Sequence, residues 1–410
     1  MKKKVLNILL SVAVIASMLT GCGGTSASAP DTSSSLDSSS TSDSAATADS
    51  EAESDTAATE TENGETYKIG VIMYQWTDAQ GANIQNYCNY LQENMNVEFQ
   101  FESTFYDDDA QVSCVENLIS AGCDAIISGY DTNIIAAMNT CDTAGVYYAV
   151  ALDHITEEDF AGSAPGQYFL GGTKQFGGNL GGLGEKYAEA VIASGIDNIG
   201  GISFPAWAFS DAPEIYTGFQ NALKNAGLTV QDLSFSSGFT AEEVKSATQT
   251  LINENSDIQA IFGMSSGLDY VYPALQDTDV KLISMGYDTS VKSLMENGSL
   301  IAAGNNNHTQ AIASCVARII NALEGNSYSD AESGAYNEGS IVNGVAGYPV
   351  IGNLEALEDY ETYVVAEDGG KGSVTAEELK NCIISINSEA TLADLNTLTN
   401  RTVEEVKALR

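Results

Sequence analysis

The chain has 410 residues with 56 acidic and 16 basic side chains, which gives a formal net charge of −40 at pH 7. A charge of this sign and size disfavours binding to nucleic acid and to anionic membrane surfaces, because both are polyanions. The length is sufficient for two domains of ordinary size after a leader and a linker are set aside.

Residues 1–21 have the features of an export signal, with three lysines followed by an apolar run from Val5 to Leu19. This run is too short to span a bilayer comfortably. The sequence Leu19-Thr20-Gly21-Cys22 resembles the lipobox of bacterial lipoproteins, which implies cleavage before Cys22 and acylation of that cysteine. Two acyl chains would anchor the protein to the outer face of the cell membrane. The alternative is a simple secretory signal with a chance cysteine.

Residues 22–65 are rich in Ser, Thr, Ala, Asp and Glu. From Gly23 to Glu65 there are ten acidic residues and no Lys or Arg. Such a segment cannot bury enough apolar surface to offset the entropy that is lost on ordering. We therefore predict a disordered, self-repelling acidic tether over residues 22–65.

The cysteine and histidine pattern argues against metal chemistry. No C-x-x-C pair is present, and the chain has only two histidines. We expect neither a metal site nor a cofactor. Several cysteines lie in apolar helical stretches, which is typical of buried thiols, whereas disulfides are the alternative in an exported protein. Besides Cys22, the cysteines are Cys88, Cys114, Cys123, Cys141, Cys315 and Cys382.

From Tyr67 onward, short apolar strands alternate with amphipathic helical windows, which is typical of parallel α/β sheets. The same order occurs twice at a nearly constant spacing. Ile69 and Ile199 are 130 residues apart, and Asp153 and Asp288 are 135 residues apart. We therefore predict an α/β fold with two similar doubly wound parallel-sheet lobes, joined by a hinge, whose strand ends meet in a binding crevice.

The repeat predicts the limits of the two lobes. The N-terminal lobe comprises residues 66–170 plus about 305–345, and the C-terminal lobe comprises 171–304 plus part of 346–410, which also supplies a closing tail. The segment "GGTKQFGGNLGG" lies at the lobe crossing and lacks the ending of a phosphate loop, which favours a hinge or close backbone packing. In the second lobe, Thr240 and Glu243 predict a capping box.

Several segments follow one another in a characteristic order from Tyr67 to Asn387. They are "YKIGVIM" at the start, "LISAGCDAIIS" and "VALDH" in the first lobe, and "IYTGFQNALKNAG", "DIQAIFGMSS" and "ISMGYDTS" in the second. Together they resemble type 1 periplasmic binding proteins of the sugar-binding group, the substrate-binding components of ABC importers. The resemblance implies a solute-binding lipoprotein that closes by a hinge around a sugar or sugar-like ligand and delivers it to ABC permease transmembrane subunits.

Position by position, the resemblance implies ligand contacts. Asp153 and Asp288 fall where the family has aspartates that accept ligand hydroxyls, although strand-end aspartates can instead cap the next helix. Ser265 falls where relatives often have asparagine, and Asn306 falls where they often have glutamine. His154 stands where many relatives have arginine. These departures imply a pocket that differs from the usual ribose or galactose pocket.

The two tryptophans of the chain, Trp76 and Trp207, each follow the first strand of a lobe. Because strand carboxyl ends border the crevice, we predict that they form an aromatic clamp around the ligand, with Tyr74 and Phe209 nearby. The alternative is that these aromatics pack in the core. The full predicted ligand-binding set is Tyr74, Trp76, Asp78, Tyr130, Asp153, His154, Trp207, Phe209, Ser265, Asp288 and Asn306.

An enzymatic function fits this architecture less well, whereas a sensory function or the binding of another small solute fits it equally well. The sequence has no nucleophile elbow, no paired-histidine site and no metal constellation, so no enzymatic activity is expected. A ligand-sensing receptor subunit for a membrane kinase or chemoreceptor would use the same closure, as would a binder of nucleosides or of a signalling furanone (an autoinducer).

Overall fold

The computed structural model describes residues 66–410 apart from 106, 108, 131, 132, 161, 265, 332–342 and 366–370. The predicted signal peptide, the lipidation site at Cys22 and the acidic tether lie outside the described residues, as does Ser265. None of the helices in the described part of the chain is long and apolar enough to cross a membrane.

The first lobe contains a four-stranded parallel sheet with helices on both faces. Its elements are β1 (Tyr67–Met73), α1 (Ala79–Asn94), β2 (Val97–Ser103), α2 (Ala110–Ser120), β3 (Ala125–Ser128), α3 (Ile134–Ala144) and β4 (Tyr147–Val150). The strand order is β2-β1-β3-β4. Along β1, Ile69 and Val71 face the core formed with α1, whereas Ile72 faces the core formed with α2 and α3. Burial on both faces explains why these strands are continuous apolar runs.

The second lobe repeats this arrangement after the chain crosses through β5 (Thr173–Gln175). Its elements are α4 (Leu180–Ser194), β6 (Asn198–Ser203), α5 (Ala212–Asn225), β7 (Thr229–Phe235), α6 (Ala241–Glu254), β8 (Ala260–Gly263), α7 (Tyr272–Leu275), β9 (Lys281–Met285), α8 (Val291–Glu296) and β10 (Leu300–Gly304). The parallel order β7-β6-β8-β9 matches β2-β1-β3-β4 of the first lobe. The predicted fold class is therefore confirmed.

The chain then returns to the first lobe and crosses back. The returning elements are α9 (His308–Leu323), β11 (Gly344–Ala346) and β12 (Val350–Ile351). Strand β11 pairs in parallel with β5, and β12 pairs antiparallel with β10. All crossings therefore lie on the β4 side of the first sheet and on the β10 side of the second. Strands β2 and β7 are the edges farthest from the hinge.

The C-terminal tail packs on both lobes. Its helices are α10 (Leu354–Tyr360), α11 (Ala376–Lys380), α12 (Leu392–Thr399) and α13 (Val403–Leu409). Leu379 of α11 and Leu395 of α12 belong to the core of the first lobe, whereas Leu357 and Tyr360 of α10 belong to that of the second. The tail therefore covers the hinge side of both lobes.

Local sequence signals account for several helix starts. The predicted capping box at Thr240 and Glu243 is present, and the Glu243 side chain reaches back to the Thr240 backbone N–H at 3.1 Å. The same box recurs in the tail at Thr375, Thr391 and Thr402. Each box satisfies backbone donors that the first helical turn leaves unpaired.

All six cysteines of the folded domain are buried. Burial raises the pKa of the Cys123 and Cys382 thiols to about 11, so both are neutral at pH 7. These thiols serve as small apolar packing groups, as the sequence pattern indicated.

Glycines allow α4 and α5 to approach each other closely. A Cβ on Gly184 would lie 1.9 Å from the carbonyl oxygen of Ile215, and one on Gly218 would lie 2.0 Å from the carbonyl oxygen of Gly181. Such distances are far below van der Waals contact, so neither position accepts a side chain without separation of the two helices. The glycine-rich segment therefore supplies close backbone packing at its helical end.

The contact between α4 and α5 generates a stability prediction with a matched control in the same helix. We expect Gly184→Ala to lower the free energy of unfolding by about 2 to 3 kcal/mol, because overpacking forces the helices apart. Gly181→Ala should be neutral or stabilising, since nothing lies within 4 Å of its Cβ position and alanine is the better helix former. Urea denaturation of both variants measures the difference, and equal stabilities would contradict this account of the helix contact.

Candidate functional site

The loop between β1 and α1 forms the first part of the candidate site. Asp78 caps α1, since its Oδ1 accepts from the Gly81 backbone N–H at 2.8 Å. Its Oδ2 accepts from the Tyr74 hydroxyl at 2.9 Å and from Gln75 Nε2 at 3.2 Å. One carboxylate therefore caps the helix and holds the Tyr74 hydroxyl in place.

Gln80 connects this loop to the segment that returns from the second lobe. Its Nε2 lies 2.7 Å from His308 Nε2, and its Oε1 contacts the Tyr74 hydroxyl. His308 is buried at the start of α9, and burial lowers its pKa to about 4 despite the opposing charge of Asp78. The imidazole is therefore neutral at pH 7, and its Nε2 accepts a hydrogen bond from the Gln80 amide.

Tyr130 and Asn306 lie beside this network. Gln80 Nε2 donates to the Tyr130 hydroxyl at 3.3 Å, and the Asn306 side chain lies near enough to this hydroxyl to lower its pKa. Desolvation and the nearby Asp153 charge raise the pKa of Tyr130, so the phenol remains neutral. Asn306 Oδ1 is buried, and among the described residues it has no hydrogen-bond partner. A buried acceptor of this kind is costly unless water or a ligand satisfies it.

Asp153 and His154 follow β4 and meet the second lobe. His154 Nδ1 lies 4.0 Å from Asp153 Oδ1 and 3.8 Å from Oδ2 of Asp211, which precedes α5. Desolvation, opposed by the His154 charge and assisted by Asp159 and Asp211, raises the pKa of Asp153 to about 6. The His154–Asp211 approach shows that the carboxyl ends of the two sheets face each other.

These side chains form one connected group at the interface of the lobes, which we call the interlobe polar cluster. Each member bonds to, or changes the pKa of, at least one other member. Its members are Tyr74, Asp78, Gln80, Tyr130, Asp153, His154, Asp211, Asn306 and His308.

The two tryptophans lie outside this cluster. Trp76 donates its indole N–H to the Glu102 carbonyl at 3.0 Å and packs edge-on against Phe101 at 5.0 Å between ring centroids. Trp207 is 74 % exposed and lies edge-on to Phe239, with ring centroids 5.9 Å apart. In these contacts, neither tryptophan of the predicted aromatic clamp bonds to a member of the interlobe polar cluster. Ligand contact by Trp76 or Trp207 stays a prediction.

Two further predicted residues have local structural partners. Phe209 packs against the core of the second lobe. Asp288 Oδ1 accepts from the backbone N–H of Ser290 at 2.7 Å in the turn before α8, and ligand contact by Asp288 stays a prediction. Ser265 lies outside the described residues.

Sequence reasoning missed Gln80, His308 and Asp211. A signal for His308 was present, because the chain has only two histidines and this one is the first residue of α9. Asp211 occupies a helix-start position, where an acidic residue is common for structural reasons alone. Gln80 carries no local signal, since its role depends on α9, which lies 228 positions further along the chain.

No cluster that could hold a metal ion occurs among the described residues. A groove of about 770 Å³ lies elsewhere and is lined by segments that include α4, β12, α10 and the start of α13. Several charged side chains of its wall have ion-pair partners: Lys186 pairs with Glu189, Arg401 with Glu378 and Asp359 with Lys407. We take the interlobe polar cluster as the candidate site, because it lies where the strand carboxyl ends of the two lobes meet and contains the buried, unsatisfied Asn306 Oδ1.

Comparison with known proteins gives the family. A sequence profile described as the periplasmic binding protein domain matches residues 69–327. The chain belongs to the periplasmic binding protein domain family. No curated protein matches the sequence. The family assignment makes the chain an extracytoplasmic, substrate-binding and non-catalytic protein, as the sequence resemblance implied.

Solved structures show the same fold at low sequence identity. A sugar ABC transport substrate-binding protein from Bordetella parapertussis is 15 % identical in sequence, with a TM-score of 0.56. The alignment covers 74 % of this chain and 93 % of that protein. A periplasmic solute-binding protein from Actinobacillus succinogenes with bound D-allose is 13 % identical, with a TM-score of 0.55. The alignment covers 71 % of this chain and 99 % of that protein. An arabinose-binding protein from Geobacillus stearothermophilus is 18 % identical, with a TM-score of 0.55. The alignment covers 71 % of this chain and 98 % of that protein.

The raised pKa of Asp153 predicts a pH-dependent stability effect. Its pKa rises from 3.8 to about 6 on folding, so the folded state favours the protonated form. Stability from this group is present below about pH 4 and is lost as the pH rises through about 6. We expect Asp153→Asn to be more stable than the wild type by about 1 kcal/mol at pH 8, a value discounted for solvent screening because 47 % of the side chain is exposed.

Thermal unfolding at pH 4 and pH 8 measures this difference. The stabilisation by Asp153→Asn should disappear at pH 4, and the exposed Asp277→Asn should change neither value. A variant that is less stable than the wild type at pH 8 would show that the ionised Asp153 contributes to folding instead.

Proposed function

We propose that the protein is the sugar-binding receptor of an ABC importer, and that the interlobe polar cluster binds the solute. The observation that carries the proposal is the buried and unsatisfied Asn306 Oδ1, which lies on a crossing segment beside donors and acceptors from the first lobe. The structures similar in fold include proteins named as a sugar-transport substrate-binding protein and an arabinose-binding protein. These names support the choice of a sugar.

The chemistry of the cluster suits a polyhydroxy solute. Each sugar hydroxyl both donates and accepts a hydrogen bond, and the cluster offers both kinds of partner. Ionised Asp153 accepts, Asn306 accepts through Oδ1, and the Tyr130 hydroxyl does either. Contacts from Gln80 and Asp78 fix the neighbouring side chains in place before a ligand arrives. Such preorganisation reduces the entropy lost on binding.

The position of the cluster couples binding to closure. Asp153 and His154 belong to the first lobe, and Asp211 directly precedes α5 of the second. A solute that bonds to residues of both lobes stabilises the conformation in which the lobes are close together. In the proposed cycle the transmembrane subunits of the permease recognise this closed conformation and accept the solute from it.

The proposed location is the outer face of the cell membrane, with a lipid anchor at Cys22. The export signal, the lipobox-like sequence before Cys22 and the acidic segment to residue 65 support this proposal. The high negative charge of that segment would keep the chain extended and hold the folded domain away from an anionic surface.

Substitution of Asn306 tests the function. We expect Asn306→Ala to weaken binding of the cognate monosaccharide by about 5- to 100-fold, because a ligand hydroxyl that is left buried without its acceptor costs about 1 to 3 kcal/mol. The cognate sugar is first identified by thermal shift against pentoses, hexoses, inositols and nucleosides, and calorimetry then gives the Kd of each variant. The exposed Asn225→Ala is the control and should bind as the wild type does.

Two results would contradict the proposed function. The first is a panel in which no sugar or polyol shifts the melting temperature while a nucleoside does. The second is an unchanged Kd for Asn306→Ala, which would place the ligand elsewhere.

The anchor generates a separate prediction. In cells grown with a labelled fatty acid, the wild-type chain should carry the label and partition with detergent, whereas Cys22→Ser should do neither. Cys88→Ser controls for acylation of other thiols and should retain the label. A soluble, unlabelled wild-type protein would show that the leader is a simple secretory signal.

A further inference from the structure

Exposed aromatic rings are concentrated at the carboxyl ends of the strands in both lobes. In the described part of the chain, every aromatic side chain that is classed as exposed lies at or just after the carboxyl end of a strand: Phe105, Tyr130, Trp207, Phe235 and Phe239. The exposed aliphatic side chains are instead scattered, as Ile192, Leu354, Ile386 and Leu409 are. Exposed rings that are concentrated at the strand ends bordering the cleft, and not scattered, indicate a role in binding there.

Four of these rings lie at the end of the cleft farthest from the hinge. Phe105 follows β2, whereas Phe235 ends β7 and Phe239 follows it, and these two strands are the sheet edges opposite the crossings. Trp207 follows β6 and contacts Phe239. Phe105 comes two residues after β2 and Phe239 four residues after β7, so each lies in the loop that follows the edge strand of its lobe. We call Phe105, Trp207, Phe235 and Phe239 the aromatic rim.

Phe105 is held outward at a conformational cost. It is 77 % exposed and has a φ of 51°, a left-handed backbone conformation that is unfavourable for a bulky residue. Its backbone N–H donates to the Tyr74 carbonyl at 2.9 Å, which ties the rim directly to the loop of the interlobe polar cluster. In the second lobe, Trp207 and Asp211 belong to the same loop before α5. The rim therefore extends the polar cluster outward in both lobes.

We propose that the aromatic rim binds additional sugar rings of an oligosaccharide whose terminal unit occupies the interlobe polar cluster. This inference rests on the proposed function and specifies its substrate class. Planar aromatic faces suit the apolar C–H faces of sugar rings, and polar groups are not required in such outer subsites. A monosaccharide held by the polar cluster would leave the rim unused.

The distribution of the rings favours a ligand over a protein partner. A protein docking on the outside would need a contiguous patch of about 800 Å². The rim is instead divided between the two lobes, and the strand carboxyl ends of these lobes face each other. Acidic residues such as Asp109 and Asp211 are close to the rings in the sequence. Rings on facing lobes approach each other around a ligand that enters the cleft.

Calorimetry with a homologous saccharide series tests the proposal. Xylose, xylobiose and xylotriose, and separately glucose, maltose and maltotriose, are titrated into the wild type, Phe105→Ala, Phe239→Ala and Leu409→Ala. In at least one series we expect the wild type to bind the trisaccharide about 10-fold or more tightly than the monosaccharide. Both phenylalanine variants should lose most of this gain while binding the monosaccharide within about twofold of the wild type.

The controls separate the possible failures. Leu409→Ala removes an equally exposed apolar side chain from the tail and should bind every saccharide as the wild type does. Equal affinity for monosaccharide and trisaccharide, or an undiminished gain in both phenylalanine variants, would overturn the rim proposal and leave the sugar-receptor proposal intact. Absence of binding by every saccharide in both series and in the monosaccharide panel would overturn both proposals.

Discussion

The architecture depends on how the chain passes between its two lobes, and one buried arginine holds the crossing together. Arg318 of α9 donates through Nη1 to the carbonyl oxygens of Leu170 at 2.8 Å and Gly172 at 3.1 Å. Its Nε donates to the backbone carbonyl oxygen of Ser314 within the same helix. Those two carbonyls belong to the segment that leaves the first lobe, whereas α9 belongs to the segment that returns. Because the guanidinium has five fixed donors, it can join both segments at once. The crossing thereby keeps a defined geometry beside the cluster that contains Asn306 and His308.

The electrostatics of the proposed site follow from this crossing. The start of α9 is buried between the lobes, so His308 is neutral and accepts a hydrogen bond from Gln80. On the open side, Asp78, Asp153 and Asp211 supply negative charge, and His154 is the adjacent basic group. The raised pKa of Asp153 indicates an ionised form that the fold disfavours. Retention of such a group is typical of sites where binding takes precedence over stability.

The sequence predicted the fold well because the fold is repeated. Strand periodicity, the spacing between Ile69 and Ile199, and the capping box at Thr240 all report on local structure, and local structure determines a doubly wound lobe. Most members of the interlobe polar cluster could also be predicted, because Asp78, Tyr130 and Asp153 follow strands whose carboxyl ends border the crevice. What the sequence could not predict was contact between distant segments. Gln80 meets His308, and His154 meets Asp211, only because the chain crosses between the lobes.

Charge and aromatic exposure together narrow the class of solute. A cleft bordered by three carboxylates, in a chain of formal charge −40, repels anionic solutes at close range and through the overall field. Neutral hydroxyl groups have no such penalty, and they match the acceptors Asp153 and Asn306. The exposed rings of the aromatic rim then provide affinity that is independent of charge, because apolar contact requires no counter-ion. An inner polar cluster and an outer apolar rim are complementary to a neutral carbohydrate, whose edges are polar and whose ring faces are apolar.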